Sequence, residues 1–278
     1  MKIFLLTAFA LTAFAFNSIL CRMALATGEI DAASFTVIRL VSGTVTLAAI
    51  ILATGKTRSL AKNGNWASAF FLFAYAIAFS FAYLGLTTAT GALILFGCVQ
   101  LTMFGVSLYG GVRPGVLEWV GLVVAFTGLV YLVLPGLAAP PLMNALLMAA
   151  AGIAWGFYTL RGKGSEDPLA DTAGNFLRSV PMVMMIGAVF ISSIQISGRG
   201  AILAILSGAL ASGIGYSVWY AALKHHTPTR AAVLQLSVPV IAAVGGIVLL
   251  SETASIRLLI AAALILGGIG LALIHRSR

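Results

Sequence analysis

The sequence has 278 residues, of which 61% are hydrophobic and 8% are charged, and its mean hydropathy is +1.09. Because an ordinary soluble domain carries about 25% charged residues, this composition excludes a soluble enzyme and indicates an integral membrane protein. The 16 Lys and Arg outnumber the seven Asp and Glu and give a net charge of +9. They lie between apolar stretches, which indicates a topology signal and no nucleic-acid partner.

Ten apolar stretches predict an all-α polytopic membrane protein with ten transmembrane helices. Each stretch is continuously apolar over about 20 residues, the length that a helix needs to cross a bilayer. The first is too long for the apolar core of a signal peptide and is interpreted as a span. In chain order the predicted spans cover residues 3–21, 33–54, 65–85, 90–109, 115–134, 142–160, 172–195, 200–222, 229–250 and 256–274.

The distribution of Lys and Arg predicts the orientation of these spans. If the N-terminus is cytoplasmic, the connections on the opposite side hold only Arg22, Arg199 and Arg257. The cytoplasmic connections and tails then hold most of the other basic residues, as the positive-inside rule requires. Both termini are therefore predicted to be cytoplasmic.

The two halves of the chain resemble each other. A shift of 139 residues aligns Arg22 with Arg161 and Arg39 with Arg178, and a small adjustment of that shift pairs Tyr83 with Tyr220. Residues 1–139 and 140–278 are therefore predicted to be two repeats of five spans each. Because five is odd, the second repeat enters the membrane from the opposite side, and such inverted repeats are typical of transporters with alternating access.

The polar residues of the spans exclude several kinds of chemistry. No Asp or Glu is predicted well inside a span, which disfavours an intramembrane aspartyl protease and an exporter that binds cations through a buried acid. The cysteines and histidines lack metal-ligand spacing, so we expect no metal site and no cofactor. Glu252 and Arg257, like Arg113 and Glu118, are predicted to form ion pairs at the membrane interface.

Aromatic and amide side chains supply the candidate substrate site. On span three, Tyr75, Phe79 and Tyr83 recur every four residues and share one helix face. Trp155 on span six, opposite Phe16 of span one, extends this surface, and the aromatic residues could equally serve as helix packing. The full set of predicted substrate-binding residues is Asn17, Tyr75, Phe79, Tyr83, Gln100, Trp155, Tyr216, Tyr220 and Gln235.

Two arginines and two prolines inside spans are interpreted as structural or gating residues. Arg39 and Arg178 either reach toward the interface and pair with backbone carbonyls, or bind a substrate carboxylate. Pro181 and Pro239 each free a carbonyl four residues earlier and are expected to bend their helices.

The arginine in the second span of each half, together with Ala231, Ala232 and Pro239 before the turn at Glu252, resembles the ten-span EamA-type branch of the drug/metabolite transporter superfamily. The segment 79–83 and Trp155 further resemble the YddG-type bacterial exporters of aromatic amino acids.

The resemblance implies a multi-pass protein of the bacterial inner membrane that exports amino acids, aromatic or otherwise neutral, or related small metabolites. Its partners would be this small-molecule substrate and the lipid bilayer. With no buried carboxylate, export is expected to be facilitative. The alternatives are a proton-coupled exporter of drugs or other organic metabolites, a membrane-embedded lipid enzyme or scramblase, and an assembly subunit without transport of its own.

Overall fold

A computed structural model describes residues 2–55, 63–111, 115–136, 139–226 and 234–275. The described residues form helices with short connections, and their only β pairing is an isolated bridge between Ile30 and Ile196. The helices are α1 (Lys2–Ala26), α2 (Ala32–Ala53), α3 (Trp66–Ala82), α4 (Thr88–Tyr109), α5 (Val116–Val133), α6 (Leu142–Gly162), α7 (Pro168–Val189), α8 (Gly198–Leu223), α9 (Ser237–Leu250) and α10 (Ile256–His275).

Polar residues set the first turn of several helices. The side chain of each capping residue accepts a hydrogen bond from the backbone amide three positions later, which satisfies a donor that the helix leaves open. These caps are Asp31 for α2, Asn65 for α3, Thr87 for α4, Asp167 for α7 and Ser197 for α8.

The predicted spans coincide with these helices apart from their ends. Among the described residues, α1, α2, α4, α5, α6 and α8 are long and apolar enough to cross a membrane, and α3, α9 and α10 contain shorter apolar helices. The seventh span, predicted at 172–195, begins earlier and ends at Val189. The start of the ninth span, residues 229–233, lies outside the described residues.

The distribution of polar and apolar side chains is that of a membrane protein. Large apolar side chains such as Val123, Phe126 and Leu259 are exposed on the outside of the bundle, whereas Asn17 and Arg39 are buried within it. Water would favour the reverse arrangement, but lipid favours apolar surfaces and confines polar groups to the interior.

The helices pack in a pattern that repeats between the two halves. α1 contacts α8 and α9, and α6 likewise contacts α3 and α4. α2 packs on α7, α4 on α9, and α5 on α10. Exchanging the first five helices for the last five therefore turns the contacts of α1 into those of α6 and leaves the other three contacts as they are.

Small residues allow the closest of these approaches. A Cβ atom on Gly268 of α10 would lie 2.5 Å from the carbonyl oxygen of Gly121 and 2.6 Å from the amide nitrogen of Ala125, both on α5. A Cβ atom on Gly152 of α6 would lie 2.6 Å from the carbonyl oxygen of Leu95 on α4. Backbones in lipid pack this closely only where side chains are small.

Candidate functional site

A group of polar side chains lies at the centre of the bundle, where α1, α2, α3 and α8 meet. The Nη2 atom of Arg39 donates hydrogen bonds of 3.0 Å to the hydroxyls of Tyr75 and Tyr216, and its Nε atom donates one of 3.1 Å to Ser212 Oγ. The amide nitrogen of Asn17 lies 3.2 to 3.4 Å from the same three hydroxyls and donates to them. We call these five residues the central polar cluster.

An irregularity in α8 brings its serines to this cluster. The helix is π-helical over Ser207–Ile214, so that its turns there are wider than those of an α-helix. Ser207, at the start of this segment, donates a hydrogen bond of 2.5 Å to Oδ1 of Asn17. Gly208 allows the close approach of α2, since a Cβ atom there would collide with the backbone of Arg39.

Aromatic rings cover one side of the central polar cluster. The ring centroid of Trp155 lies 4.6 Å from that of Tyr216 and 5.9 Å from that of Phe14. The Cζ atom of Arg39 lies 4.9 Å from the ring centroid of Phe79, within the range of a cation–π contact. We call Phe14, Phe79 and Trp155 the aromatic wall.

The rings continue from the aromatic wall toward both ends of the bundle. In one direction Tyr83 lies 4.8 Å from Phe79, measured between ring centroids. In the other, Tyr158 lies 5.3 Å from Trp155 and 6.3 Å from Tyr220. All five rings are buried. The ring of Tyr75 connects the two directions, at 5.3 Å from Phe79 and 4.9 Å from Trp155. The interior therefore contains a continuous column of rings, which Tyr83 and Tyr220 terminate.

At the Tyr83 end of the ring column, a carboxylate bonds to residues of several helices. Glu252, in the connection between α9 and α10, forms an ion pair of 3.4 Å with Arg22. Both of its oxygens accept hydrogen bonds from the backbone amide of Thr88, at 3.0 and 2.9 Å. Arg22 also donates to the carbonyl oxygen of Tyr83 at 3.0 Å. This network joins α1 and α4 to the ends of α3 and α9.

Arg161, which the shift of 139 residues aligns with Arg22, lies at the other end. It donates hydrogen bonds of 3.1 Å to Ser68 Oγ and 3.0 Å to Asn65 Oδ1. Beside it, Tyr220 packs against Gly162, where a Cβ atom would lie 2.8 Å from the tyrosine ring. Each end of the column is thus closed by a tyrosine next to a bonded arginine.

The central cavity is small in this conformation. Its empty volume is about 250 Å³, and the free space admits about one water molecule. The cavity is therefore closed to an organic solute in this conformation. The lining residues are Phe14, Asn17, Tyr75, Phe79, Leu95, Phe96, Trp155 and Tyr216.

A larger cavity of about 730 Å³ lies between α4, α9 and α10. Its lining is apolar except for Thr87, Thr253 and Glu252, and its wall residue Leu259 is exposed on the outside of the bundle. Because Glu252 is already paired with Arg22, this cavity offers little for recognition of a polar solute. The central cavity is the better candidate site.

The structure brings five predicted site residues together in the lining of the central cavity, namely Asn17, Tyr75, Phe79, Trp155 and Tyr216. Tyr83 and Tyr220 lie at the two ends of the ring column. Gln100 and Gln235 are buried, but they are not among the lining residues.

The two aligned arginines have different surroundings. Arg39 is fully buried, and its side chain donates to hydroxyls of the central polar cluster. Arg178 instead donates to the carbonyl oxygens of Asn63 and Gly174, at 2.7 and 3.0 Å. The pairing with carbonyls that the sequence suggested therefore describes Arg178 and not Arg39.

The prolines also differ. Pro181 lies inside α7, whereas Pro239 lies in the first turn of α9, which begins at Ser237 after a break at Leu236. Ser237 Oγ donates to the carbonyl oxygen of Leu234 across this break. Pro239 therefore lies at the start of a helix and, contrary to the prediction from sequence, does not bend one.

Two predicted contacts are wrong. Phe16 is 41% exposed, and Phe14 faces Trp155 in its place. Phe14 precedes Asn17 by three residues, so helical spacing places both on one face and could have identified it. Phe16 does not share that spacing.

The ion pair predicted between Glu252 and Arg257 is also wrong. Glu252 pairs with Arg22, and Arg257 donates to the carbonyl oxygens of Tyr131 and Leu134. These partners are distant in sequence, so local spacing could not identify them. Arg113, the proposed partner of Glu118, lies outside the described residues.

Comparisons with known proteins bear on the whole chain. The sequence profile of the EamA-like transporter family matches residues 142–274. The uncharacterized protein PA1977 of Pseudomonas aeruginosa is 48% identical over 272 residues, which cover 98% of this chain and 94% of that protein. A solved chain described as "Crystal structure of protein" has a TM-score of 0.67 at 20% identity and covers 98% of this chain and 99% of its own, which shows a similar fold.

Proposed function

Because the chain belongs to the EamA-like transporter family of the drug/metabolite transporter superfamily, we propose that it exports aromatic or other neutral amino acids, or related small metabolites, across the bacterial inner membrane. The family consists of membrane transporters of small substrates. The observation that carries the finer proposal is the closed central cavity, which combines an aromatic wall with a polar cluster deep in the bundle.

Export would proceed by alternating access in a bundle of ten spans, built from two inverted repeats at residues 1–139 and 140–278 with both termini in the cytoplasm. The exchangeable packing of the two halves supports the repeat. The family match, at residues 142–274, nearly coincides with the second repeat and supports the same division. Inverted repeats provide two equivalent openings around one central site.

In this mechanism the aromatic wall binds the apolar part of the solute and the central polar cluster binds its polar groups. Tyr83 and Tyr220 would each open one end of the ring column in turn. Gln100 and Gln235 would contact the solute only in an opened state, since they do not line the closed cavity. The closed cavity corresponds to the occluded intermediate between the two openings.

We expect transport to be facilitative. The central polar cluster contains no Asp or Glu that could exchange a proton for the solute. The histidine considered for this role, His225, is exposed beyond the end of α8. Replacing His225 with Gln should leave flux and its pH dependence unchanged.

The proposal is tested with purified protein in liposomes. Labelled phenylalanine, threonine and an organic cation are offered in parallel, with and without an imposed proton gradient. Amino-acid flux that does not require the gradient is the expected result. Flux of the cation that requires the gradient would instead establish a proton-coupled drug exporter.

A matched pair of tryptophan variants tests the site itself. Trp155→Ala removes the ring that contacts Tyr216 and Phe14, and it should lower phenylalanine flux at least tenfold. Trp66→Ala, at an exposed position at the start of α3, should leave flux near that of the unmodified protein. Equal flux in the two variants at equal protein content would contradict the proposed site.

A further inference from the structure

We propose that Arg39 binds the carboxylate group of the transported solute, and that this carboxylate, rather than an amine, is the polar group that the site recognises. The inference rests on the proposed function and specifies the chemistry of its central cavity. It concerns a nitrogen atom of Arg39 that has no hydrogen-bond partner among the residues that the structure describes.

No Asp or Glu side chain in the described part of the chain balances the charge of Arg39. All seven Asp and Glu residues lie in the described part of the chain, and none forms an ion pair with this arginine. Arg39 is 1% exposed, so bulk water does not reach its charge. A buried cation without an anion is costly, and such residues in membrane proteins commonly serve substrates.

One nitrogen of the guanidinium has no partner. Arg39 is not among the residues that line the closed cavity, so a ligand would reach this nitrogen only after the cavity opens. The Nε and Nη2 atoms donate to Ser212, Tyr75 and Tyr216, but Nη1 is buried and has no hydrogen-bond partner among the described residues. A carboxylate oxygen at Nη1 would satisfy this nitrogen and neutralise the charge in one contact.

The central polar cluster has an excess of hydrogen-bond donors. Arg39 and the amide nitrogen of Asn17 only donate, and the hydroxyls that they reach can each donate one hydrogen as well. The sole group in the cluster that accepts without donating is the amide oxygen of Asn17, to which Ser207 already donates. A carboxylate supplies acceptors only, which is what this cluster lacks.

The rings beside Arg39 determine what the rest of the solute must be. Phe79 and Tyr75 cover the guanidinium, with ring centroids 4.9 and 5.1 Å from its Cζ atom. Trp155 and Phe14 continue this apolar surface. A solute bound through its carboxylate would therefore place an aromatic or aliphatic group against the aromatic wall.

The central polar cluster offers no anionic group that could bind the ammonium group of a solute. A single arginine balances one negative charge, which suits a monocarboxylate, whereas the cluster contains no carboxylate to hold a cation. The amino group of an amino acid should therefore contribute little to binding. Removing it should matter far less than removing the carboxylate.

Three probes of similar shape test this difference: phenylalanine, 3-phenylpropionate, which lacks the amine, and 2-phenylethylamine, which lacks the carboxylate. Thermal stabilisation of the purified protein measures binding, and inhibition of phenylalanine counterflow in liposomes measures access to the transport site. We expect phenylalanine and 3-phenylpropionate to bind within about tenfold of each other and 2-phenylethylamine to bind at least tenfold more weakly.

Substitution of Arg39 supplies the second test. Arg39→Gln should abolish the preference for a carboxylate, and Arg39→Lys should retain part of it. A purely structural arginine would weaken all three probes equally, so the ratio between probes separates the two roles. The matched control is Arg178→Gln, which removes the aligned arginine on α7 that donates to the carbonyl oxygens of Asn63 and Gly174, and should leave the ratio unchanged.

The outcomes separate the two proposals. Absence of phenylalanine flux in the unmodified protein would overturn the proposed function and this inference with it. Phenylalanine flux together with equal binding of 2-phenylethylamine and 3-phenylpropionate would overturn the inference alone, as would an Arg39→Gln protein that keeps the carboxylate preference. If Arg39→Gln does not fold, the comparison of probes on the unmodified protein decides.

Discussion

Asn17 occupies the point at which α1, α3 and α8 exchange hydrogen bonds. Its amide nitrogen faces the hydroxyls of Tyr75 and Tyr216, which also accept from Arg39. The uncharged amide thus shares its partners with a charged guanidinium. This makes Asn17 the position where a negative charge would have the largest effect on the site.

Asn17→Asp should place a carboxylate beside Arg39 and act as a tethered mimic of the solute. Because the new ion pair satisfies the buried cation, we expect a higher melting temperature and at least a tenfold loss of phenylalanine uptake. Differential scanning fluorimetry and liposome uptake measure the two effects. Uptake at the level of the unmodified protein would contradict the expectation.

Asp31 offers a pH-dependent prediction outside the membrane-spanning helices. Partial burial alone would raise the pKa of Asp31, but hydrogen bonds from Gln195, Ser34 and Ala33 outweigh it and lower the pKa below its usual 3.8. A carboxyl group whose pKa is lower in the folded state than in the unfolded state stabilises the folded protein at pH values above its unfolded-state pKa. This stabilisation is lost as the pH falls through its folded-state pKa.

Asp31→Asn should therefore lower the melting temperature at pH 7, and the difference from the unmodified protein should shrink below about pH 4. The melting temperature in detergent at pH 7, 5 and 3.5 provides the measurement. Glu166→Gln, which changes an exposed carboxylate, is the control and should show no such trend. A difference that stays constant down to pH 3.5 would exclude this role for Asp31.

Residue type and spacing identified much of the site but not its partners. The four-residue spacing of Tyr75 and Phe79 predicts a shared face, and the cost of an amide in lipid predicts that Asn17 points inward. The pairing of Arg39 with Ser212 joins residues 173 positions apart. Such contacts depend on how helices assemble, which no local pattern encodes.

At the level of elements, hydropathy predicts where helices lie better than where they end. The predicted span 142–160 and the helix α6 start at the same residue, because Pro140 and Pro141 precede it. The π-helical segment of α8 leaves no comparable signal in the sequence, although it contains the close approach of Gly208 to α2. The contacts of its serines join residues distant in sequence and were therefore not predicted.

The contact between α5 and α10 depends on glycine at one face of α10. Gly268→Ala would force a methyl group against the backbone of α5, so the melting temperature should fall by several degrees, as for other overpacked contacts. Gly267→Ala is the matched control, because a Cβ atom there meets nothing within 4 Å. Equal melting temperatures for the two variants in the same detergent would contradict the proposed importance of this contact.

The ring column spans the interior of the protein, and we expect mutations at its two ends to have different effects on the labelling of Cys21. Cys21 is fully buried on α1, one turn beyond Asn17 and next to Arg22, on the side of the central polar cluster nearer Tyr83. Its reactivity toward a water-soluble maleimide therefore reports whether that end is open.

In a Cys98→Ser background, Tyr83→Ala should increase the labelling rate of Cys21 severalfold, because it removes the ring that closes the nearer end. Tyr220→Ala removes the ring at the far end, and alternating access predicts that Cys21 stays protected. Mass spectrometry of the labelled protein in detergent provides the rate. Similar rates in the two variants would contradict the assignment of Tyr83 and Tyr220 to opposite openings.

The wide turns in the middle of α8 have a consequence for the angular phase of that helix. One residue of an α-helix corresponds to a rotation of about 100°, so a segment that accommodates an extra residue turns everything after it by a similar angle. Tyr216 and Tyr220 follow the segment Ser207–Ile214, and they face the interior because the helix after this segment is rotated in this way. If the segment relaxed to regular α-helix, a screw rotation would carry both rings off the axis of the bundle. The ring column would then separate while the helix stayed in place.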